Sequence, residues 1–332
     1  MKGPTVSFCD VNTYLCQNTF DLYVVNEYTR QFVNSSMNIL EVPKADIKEL
    51  DNFLESFQSN QFRVLAIGAG TVIDVVKYLC FKTDSIFNFI PSALSTNSFA
   101  THRNSFFDNE RGRVSFNSIV ATKIIIDFDF LEQAYILNKF GLVEIAATAI
   151  AQVDCDIACE RNNEIFDSSL RHRSWKLIKD SVRLLRKILS RSTLEKLLYL
   201  LLESGALTRE QGNGRLVSGS EHIISSYIES EKPCPHGMGL LFGIIIASEL
   251  QRNAGYQNKE VEIIVELLKR DLDMRAYIET NTTPAQIESA LKKVKPRIDK
   301  FTVLDITTPD HLLSIGTRVI QNYFEAPKNY ER

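Results

Sequence analysis

The sequence predicts an α/β N-terminal domain built on an open parallel sheet, followed by an all-α C-terminal domain. Three observations predict it. Short apolar runs alternate with helix-period segments up to about residue 136, nearly every segment from Leu137 onward has helical period, and a glycine turn joins a strand to a helix in the first part. The runs are Leu22–Val25, Arg63–Ile67, Ile86–Ile90 and Lys123–Ile126. They lack polar alternation, as strands buried on both faces do. Between them, Ala45–Ser56 and Val72–Phe81 read as helices, the second with Val72, Val75, Val76 and Leu79 on one face. Strand–helix–strand order implies right-handed crossovers in a parallel sheet. In the second part Phe140–Arg161, Arg173–Ser190, Ser192–Ser204, Ser220–Glu229, His236–Asn253, Asn258–Leu268, Pro284–Val294 and Asp310–Phe324 read as helices. The expected domains are 1–136 and 137–332, with a cleft between them and no substantial sheet after residue 140.

The 332 residues suffice for two domains of roughly 100–200 residues each. Net charge is −3, from 38 basic and 41 acidic residues. No surplus positive field is available to hold a nucleic acid backbone, so nucleic acid is not an expected partner. The apolar run Leu240–Ala247, broken by Gly243, is far short of the roughly 20 residues a membrane helix needs. The N-terminal stretch MKGPTVSFCDVNTYLC has no apolar core of a secretory signal. A cytoplasmic protein is therefore expected, and six cysteines without a Cys-x-x-Cys pair read as reduced thiols. Cys155 and Cys159, one helical turn apart, read as small core residues because no further soft ligand lies nearby.

Gly68-Ala69-Gly70-Thr71 follows an apolar strand and opens a helix. Glycines there let backbone approach a pyrophosphate, and the free N–H groups at a helix start attract anions. Ile73 stands where the third glycine of the full Rossmann fingerprint would fall. Strand before and helix after favour a Rossmann-like phosphate-binding turn over a plain tight turn.

Two segments of the helical part look chemical: Gly214 to Ser225, containing Ser218-Gly219-Ser220-Glu221-His222, and Pro233-Cys234-Pro235-His236-Gly237-Met238-Gly239. Each puts a histidine in the first turn of a predicted helix, with Ser218 or Ser220 as cap for one and Pro235 as initiator for the other. A helix N-terminus disfavours imidazolium, so both rings are expected neutral and able to ligate a metal. The glycines after His236 allow another chain or a ligand to approach. Glu144 is a carboxylate in an otherwise apolar helix, costly to bury unless paired or bound to a cation. Two histidines and a glutamate with an open fourth position form a familiar catalytic zinc set.

These residues carry a family resemblance. Gly68 to Lys77 resembles the G-G-G-S-x-x-D-x-x-K loop of the iron-containing alcohol dehydrogenase and dehydroquinate synthase superfamily. Pro91 to Thr101 resembles P-T-x-x-S-x-D-G-x-A-S, and Gly141 to Ala158 the G-x-G-D-L-L-A…T-A…D-W-x-L-A helix. Arg215 to Ser225 resembles S-R-P-x-S-G-S-E-H-x-x-S, and His236-Gly237 the L-H-G block. The branch most similar is the sn-glycerol-1-phosphate dehydrogenases. Glu144 stands where that branch usually has Asp, Asn97 replaces Asp, and Ser98 replaces Gly, followed by His102-Arg103. The L-N-F-G-H-T block and G-G-K loop of the synthase branch are absent from the sequence.

The resemblance implies a dehydroquinate synthase-like fold, with a nucleotide-binding domain over 1–136 and a helical metal- and substrate-binding domain over 137–332. It implies that Glu144, His222 and His236 hold a divalent metal and serve catalysis, Zn2+ preferred with Fe2+ as the alternative. It assigns NAD or NADP to Gly68, Ala69, Gly70, Thr71, Asp74, Ser92, Ser95 and Thr96, with Asn26 or Glu27 at the adenosine ribose. The acidic Glu27 favours NAD. Asn97, His102, Arg103 and Arg215 are the expected substrate contacts, and the basic pair suits a phosphate. The expected reaction is metal-dependent reduction of a small phosphorylated ketone. The alternative is a dehydroquinate synthase-like carbocycle synthase acting on a sugar phosphate with transient NAD redox. A third reading is a helical binding protein that has kept the scaffold without activity. The expected partner is a small phosphorylated substrate, with neither nucleic acid nor membrane, and a homo-oligomer left open.

Overall fold

The structure is a computed structural model that describes residues 3–42, 52, 54, 55, 61–108, 112–232 and 234–326. Of the expected helix Ala45–Ser56 only residues 52, 54 and 55 are described, all helical, and the rest lies outside the described residues. The chain forms two compact units, Met1–Asn138 with Ser190–Arg209, and Lys139–Leu189 with Glu210–Arg332.

The first unit carries β1 (Thr5–Phe8), α1 (Val11–Gln17), β2 (Leu22–Val25), β3 (Ile39–Glu41), β4 (Arg63–Gly68), α2 (Gly70–Lys82) and β5 (Ile86–Pro91). A hairpin, β6 (Arg103–Asp108) and β7 (Gly112–Asn117), precedes β8 (Lys123–Ile126) and α3 (Phe128–Glu132). Six strands form a parallel sheet in the order β1-β8-β5-β4-β2-β3. The four apolar runs are β2, β4, β5 and β8, the inner strands, whose side chains are buried on both faces. β1 and β3 are the two edges and are half exposed, so they lack a continuous apolar run and the sequence pattern does not announce them. One side of the sheet packs Tyr23, Val25, Leu65, Ile67, Ile90 and Ile125 with Val11 and Tyr14 of α1. The antiparallel hairpin is also unannounced, because it opens on the polar residues Arg103-Asn104-Ser105. Tyr78 of α2 holds it, with ring centroids 5.4 Å from Phe106 and 6.1 Å from Phe116.

The second unit is helical, and apart from one bridge between Arg297 and Lys300 its described residues contain no strand. From Tyr135 onward the helices are α4 (Tyr135–Asn162), α5 (Ser168–Leu185), α6 (Arg191–Gln211, most of which belongs to the first unit), α7 (Ser220–Glu231), α8 (His236–Asn253), α9 (Lys259–Lys269), α10 (Leu272–Asn281), α11 (Pro284–Leu291) and α12 (Pro309–Glu325). Helix content clearly exceeds strand content. Every residue from 138 to 155 on α4 is buried. Helix α10 has no counterpart in the sequence reading. It starts at Asp271, whose carboxylate accepts from Met274 N and also receives Lys139 Nζ at 2.8 Å.

Residues 190–209 of α6 group with the sheet. Gly205 lies against the backbone of Ala100, Ser204 Oγ accepts from Asn97 Nδ2 at 2.7 Å, and the Arg209 guanidinium donates to Ala100 O. A Cβ on Gly205 would fall 2.6 Å from Ala100 O. Gly205→Ala is therefore expected to destabilise the chain by about 1–3 kcal/mol in urea denaturation, the usual scale of overpacking. An unchanged midpoint would mean that this contact is loose.

Candidate metal centre and nucleotide loop

Glu144 comes from buried α4, His222 from the first turn of α7, and His236 is the first residue of α8. Glu144 Oε2 is 3.3 Å from His236 Nε2 and 3.8 Å from His222 Nε2. The imidazole centroids are 5.4 Å apart. Each of the three offers a ligand atom within 4.8 Å of the other two. Glu144 is 4% exposed, yet its Oε2 makes no hydrogen bond of acceptable geometry. A buried carboxylate oxygen left in that state is costly, and a cation between it and two ring nitrogens removes the cost. The donor set of two imidazoles and one carboxylate fits a divalent ion with an open position.

The remaining ring nitrogens are engaged. His222 Nδ1 is 2.7 Å from Glu221 Oε1, and His236 Nδ1 is 2.7 Å from Glu229 Oε1. These carboxylates correct one expectation. The rings were expected neutral because of the helix N-termini, but the acids outweigh that effect. Burial pulls His236 down, while Glu229 and Glu144 carry it up to about 10. His222 is likewise pulled down by burial and raised above its ordinary value by Glu144 and Glu221. Burial pushes Glu144 up, and the two rings beside it hold it well below the usual carboxylate range. In the metal-free chain, protons therefore stand where the donor set fits a cation.

A pH consequence follows for the metal-free chain. His236 is raised from 6.5 to about 10, so its contribution to stability is full below pH 6.5 and is lost as pH rises through about 10. The melting temperature of chelator-treated protein is expected to fall across that window. Saturating zinc, which replaces the proton, should flatten the fall. Parent and His236→Ala melting curves that change identically with pH between 6.5 and 10 in the metal-free state would contradict the assignment.

The start of α7 is capped across the chain and not by the expected serines. Its N-cap is Gly219, without a side-chain cap. Asp154 Oδ2 accepts from Ser220 N at 2.6 Å, and Asp154 Oδ1 accepts from Gln251 Nε2 and Val303 N, both at 3.0 Å. Glu221 Oε1 accepts from Gly219 N at 2.7 Å. The glycines of α8 admit neighbouring protein. A Cβ on Gly237 would fall 2.7 Å from Phe140 Cγ, on Gly239 2.9 Å from Ser225 Oγ, and on Gly243 2.9 Å from the Glu221 carbonyl carbon.

In the first unit, Gly68 ends β4 and Gly70 opens α2. The two glycines differ. A Cβ on Gly68 would lie 2.5 Å from Val72 Cγ2, so that position serves packing of the turn on its own helix. At Gly70 the nearest atom would be Thr96 Cγ2 at 3.9 Å, leaving the backbone open above the helix start. Ser92 N donates to Gly68 O at 2.7 Å, so the loop after β5 lies beside the glycine turn at the carboxyl edge of the sheet. Thr96 Oγ1 accepts from Ser98 N at 3.2 Å. Asn26 closes a turn after β2, its Oδ1 accepting from Thr29 N at 3.0 Å, while Glu27 is exposed.

Asp74 and Lys77 face the chain itself. Asp74 Oδ1 accepts from Ser98 Oγ at 3.0 Å. Lys77 is fully buried and donates to Ser98 O at 3.0 Å, Thr101 O at 3.1 Å and Arg103 O. Burial pulls its ammonium down to about 8, against the Asp74 carboxylate. The pair thus latches the 98–103 loop to α2. Among the expected substrate residues, Asn97 reaches Ser204, His102 is buried, and Arg103 donates to Asn117 Oδ1 at 2.7 Å and Ser115 O at 3.3 Å. Arg215 is buried in an ion pair with Glu164 at 2.9 Å and lies over the Phe166 ring. Cys155 Sγ donates to Arg215 O at 3.5 Å, and no disulfide links the six cysteines.

A family model for iron-containing alcohol dehydrogenases matches residues 15–134, the stretch that holds the glycine turn and its sheet. That stretch of the chain thus resembles the iron-containing alcohol dehydrogenases. The chain is similar to glycerol-1-phosphate dehydrogenase (NAD(P)+) of Thermococcus sibiricus, 26% identical over 68% of this chain and 65% of that protein. The match spans less than two thirds of that relative's length. The protein of the same description from Korarchaeum cryptofilum is 26% identical over 73% of this chain and 79% of its own. Among solved structures, a probable glycerol dehydrogenase from Sinorhizobium meliloti superposes with a TM-score of 0.68 at 13% identity, covering 98% of this chain and 99% of that one. An iron-containing alcohol dehydrogenase from Thermotoga maritima gives 0.64 at 11% identity, covering 96% and 99%. The fold is the one these structures share, a parallel-sheet α/β domain followed by a helical domain. Among the described residues, no helix is long and apolar enough to cross a membrane.

Sequence reading missed the roles of Glu221 and Glu229 beside the candidate metal residues and of Asp154 at the start of α7. A signal existed for Glu221, which directly precedes the histidine in Ser218-Gly219-Ser220-Glu221-His222. Glu229 sits two turns further along the same helix, and only the packing of α7 on α8 brings it to His236.

Proposed function

We propose that the chain is a metal-dependent, NAD(P)-linked oxidoreductase that reduces a small phosphorylated ketone, in the manner of a glycerol-1-phosphate dehydrogenase. The convergence of Glu144, His222 and His236 supports this most strongly, since the three come from separate helices and leave a buried oxygen that a cation would satisfy. When bound, the metal supplies Lewis acidity to a carbonyl oxygen, and the nicotinamide supplies the hydride. Glu144, His222 and His236 hold that ion. The open backbone at Gly70, with Gly68, Ala69 and Thr71, receives the diphosphate at the start of α2. Asp74 and Lys77 hold the 98–103 loop in place, and Ser92 and Thr96 stand beside the glycine turn, with Ser95 between them in sequence. Asn97, His102, Arg103 and Arg215 are the candidates for the substrate, the basic members for its phosphate. Zinc is the preferred metal and iron the alternative.

The test is a screen of phosphorylated ketones, dihydroxyacetone phosphate first, with NADH and NADPH and with zinc or iron added. The expected result is loss of reduced-nicotinamide absorbance in stoichiometric step with the substrate. Substrate consumed without net change in the nucleotide would replace this reading with the synthase-like one. Nucleotide binding without turnover and without metal would leave a non-catalytic binding protein.

A further inference from the structure

The two metal histidines are each tied down on their far side by a buried glutamate from a single helix. Glu221 is fully buried and Glu229 is 5% exposed, both on α7. Each is 2.7 Å from an Nδ1, of His222 and of His236 respectively. Both carboxylates are themselves held. Gly219 N donates to Glu221 Oε1 at 2.7 Å, and Ser225 Oγ donates to Glu229 Oε1 at 2.5 Å. The spacing between helices depends on the glycines of α8. A Cβ at Gly239 would fall 3.1 Å from Glu229 Cγ, and one at Gly243 2.9 Å from the carbonyl carbon of Glu221.

We infer that Glu221 and Glu229 are positioning residues that fix the Nδ1–H tautomer of both histidines, aim both Nε2 atoms at Glu144, and set the affinity of the centre for its metal. The inference rests on the metal reading of Glu144, His222 and His236. The physical basis is general. A ligating imidazole whose other N–H is bound by a carboxylate has a fixed orientation and a more basic ligating nitrogen. Here one helix supplies a ligand and both tethers, so the packing of α7 on α8 places His236 as well as His222. Two tethers beside three ligand groups also add negative charge around a divalent cation, which favours the ion further.

The experiment is zinc titration of metal-stripped full-length chain against a chromophoric chelator, for the parent, Glu221→Gln, Glu229→Gln, Ser225→Ala and His236→Ala. The glutamine variants are each expected to bind zinc roughly 10–100-fold more weakly, the usual cost of losing such a partner. Ser225→Ala, which frees one carboxylate oxygen without touching its charge, should cause a smaller loss in the same direction. Nicotinamide nucleotide affinity and far-ultraviolet circular dichroism should match the parent in all of them. Glutamine variants that bind zinc like the parent while His236→Ala does not would overturn the tethers and keep the metal site. If the parent binds no zinc, or His236→Ala binds it equally well, the metal reading falls and this inference with it. Should a glutamine variant fail to fold, Ser225→Ala decides alone, with parent-like affinity counting against the tether on His236.

Discussion

His236→Ala is expected to remove bound divalent metal and oxidoreductase turnover together while the chain stays folded. The ring opens α8 and retains 22% of its side-chain exposure, so its removal leaves no large cavity in the core. What remains is Glu144 facing His222 alone, with the Glu229 carboxylate left to Ser225 Oγ. Losing a ligand should cost more than the roughly 10–100-fold that losing a ligand's hydrogen-bonding partner costs. Metal content after dialysis, helical circular dichroism and the nicotinamide assay read the three consequences separately. A variant that keeps stoichiometric metal would show that His236 is no ligand, and loss of helical signal would mean that the residue serves the fold.

Gly70→Val should be the second large effect. The backbone there needs no positive φ, and the nearest atom to a new Cβ is 3.9 Å away, so the empty loop tolerates the side chain. The branched side chain then occupies the space that a diphosphate needs to reach the free N–H groups of α2. Nicotinamide nucleotide binding is expected to become undetectable by calorimetry, with metal content and melting temperature close to the parent. Gly68→Ala makes the contrast, since its Cβ would meet Val72 at 2.5 Å and should destabilise the fold by about 1–3 kcal/mol. Parent-like nucleotide affinity in Gly70→Val would remove the nucleotide from this turn.

Much of the fold was legible because the four inner strands have no solvent face. Their apolar runs match β2, β4, β5 and β8 to within a residue at each end. Edge strands β1 and β3 and the β6–β7 hairpin were not legible, because their pairing depends on neighbours far along the chain and their local pattern is mixed. Helix α10 was hidden because its start is set by Asp271, which also serves Lys139 across the chain. The grouping of residues 190–209 with the sheet depends on Gly205 against Ala100, about a hundred positions apart in sequence. The Glu144, His222 and His236 trio was visible as chemistry in unusual settings, a carboxylate in an apolar helix and two histidines in first turns. The charge state of the rings was not, since Glu229 reaches His236 only once two helices pack. For Asp74 and Lys77 the motif was visible, and the structure adds that both bind the 98–103 loop.

The claim on which the rest depends is that three helices of the second unit hold one divalent ion. Anomalous diffraction at the zinc edge, on crystals of the full chain equilibrated with excess zinc, tests it directly. A single strong peak is expected at roughly 2.0–2.2 Å from Glu144 Oε2, His222 Nε2 and His236 Nε2. A peak elsewhere with these side chains unligated, or no peak at saturating zinc, would contradict the account.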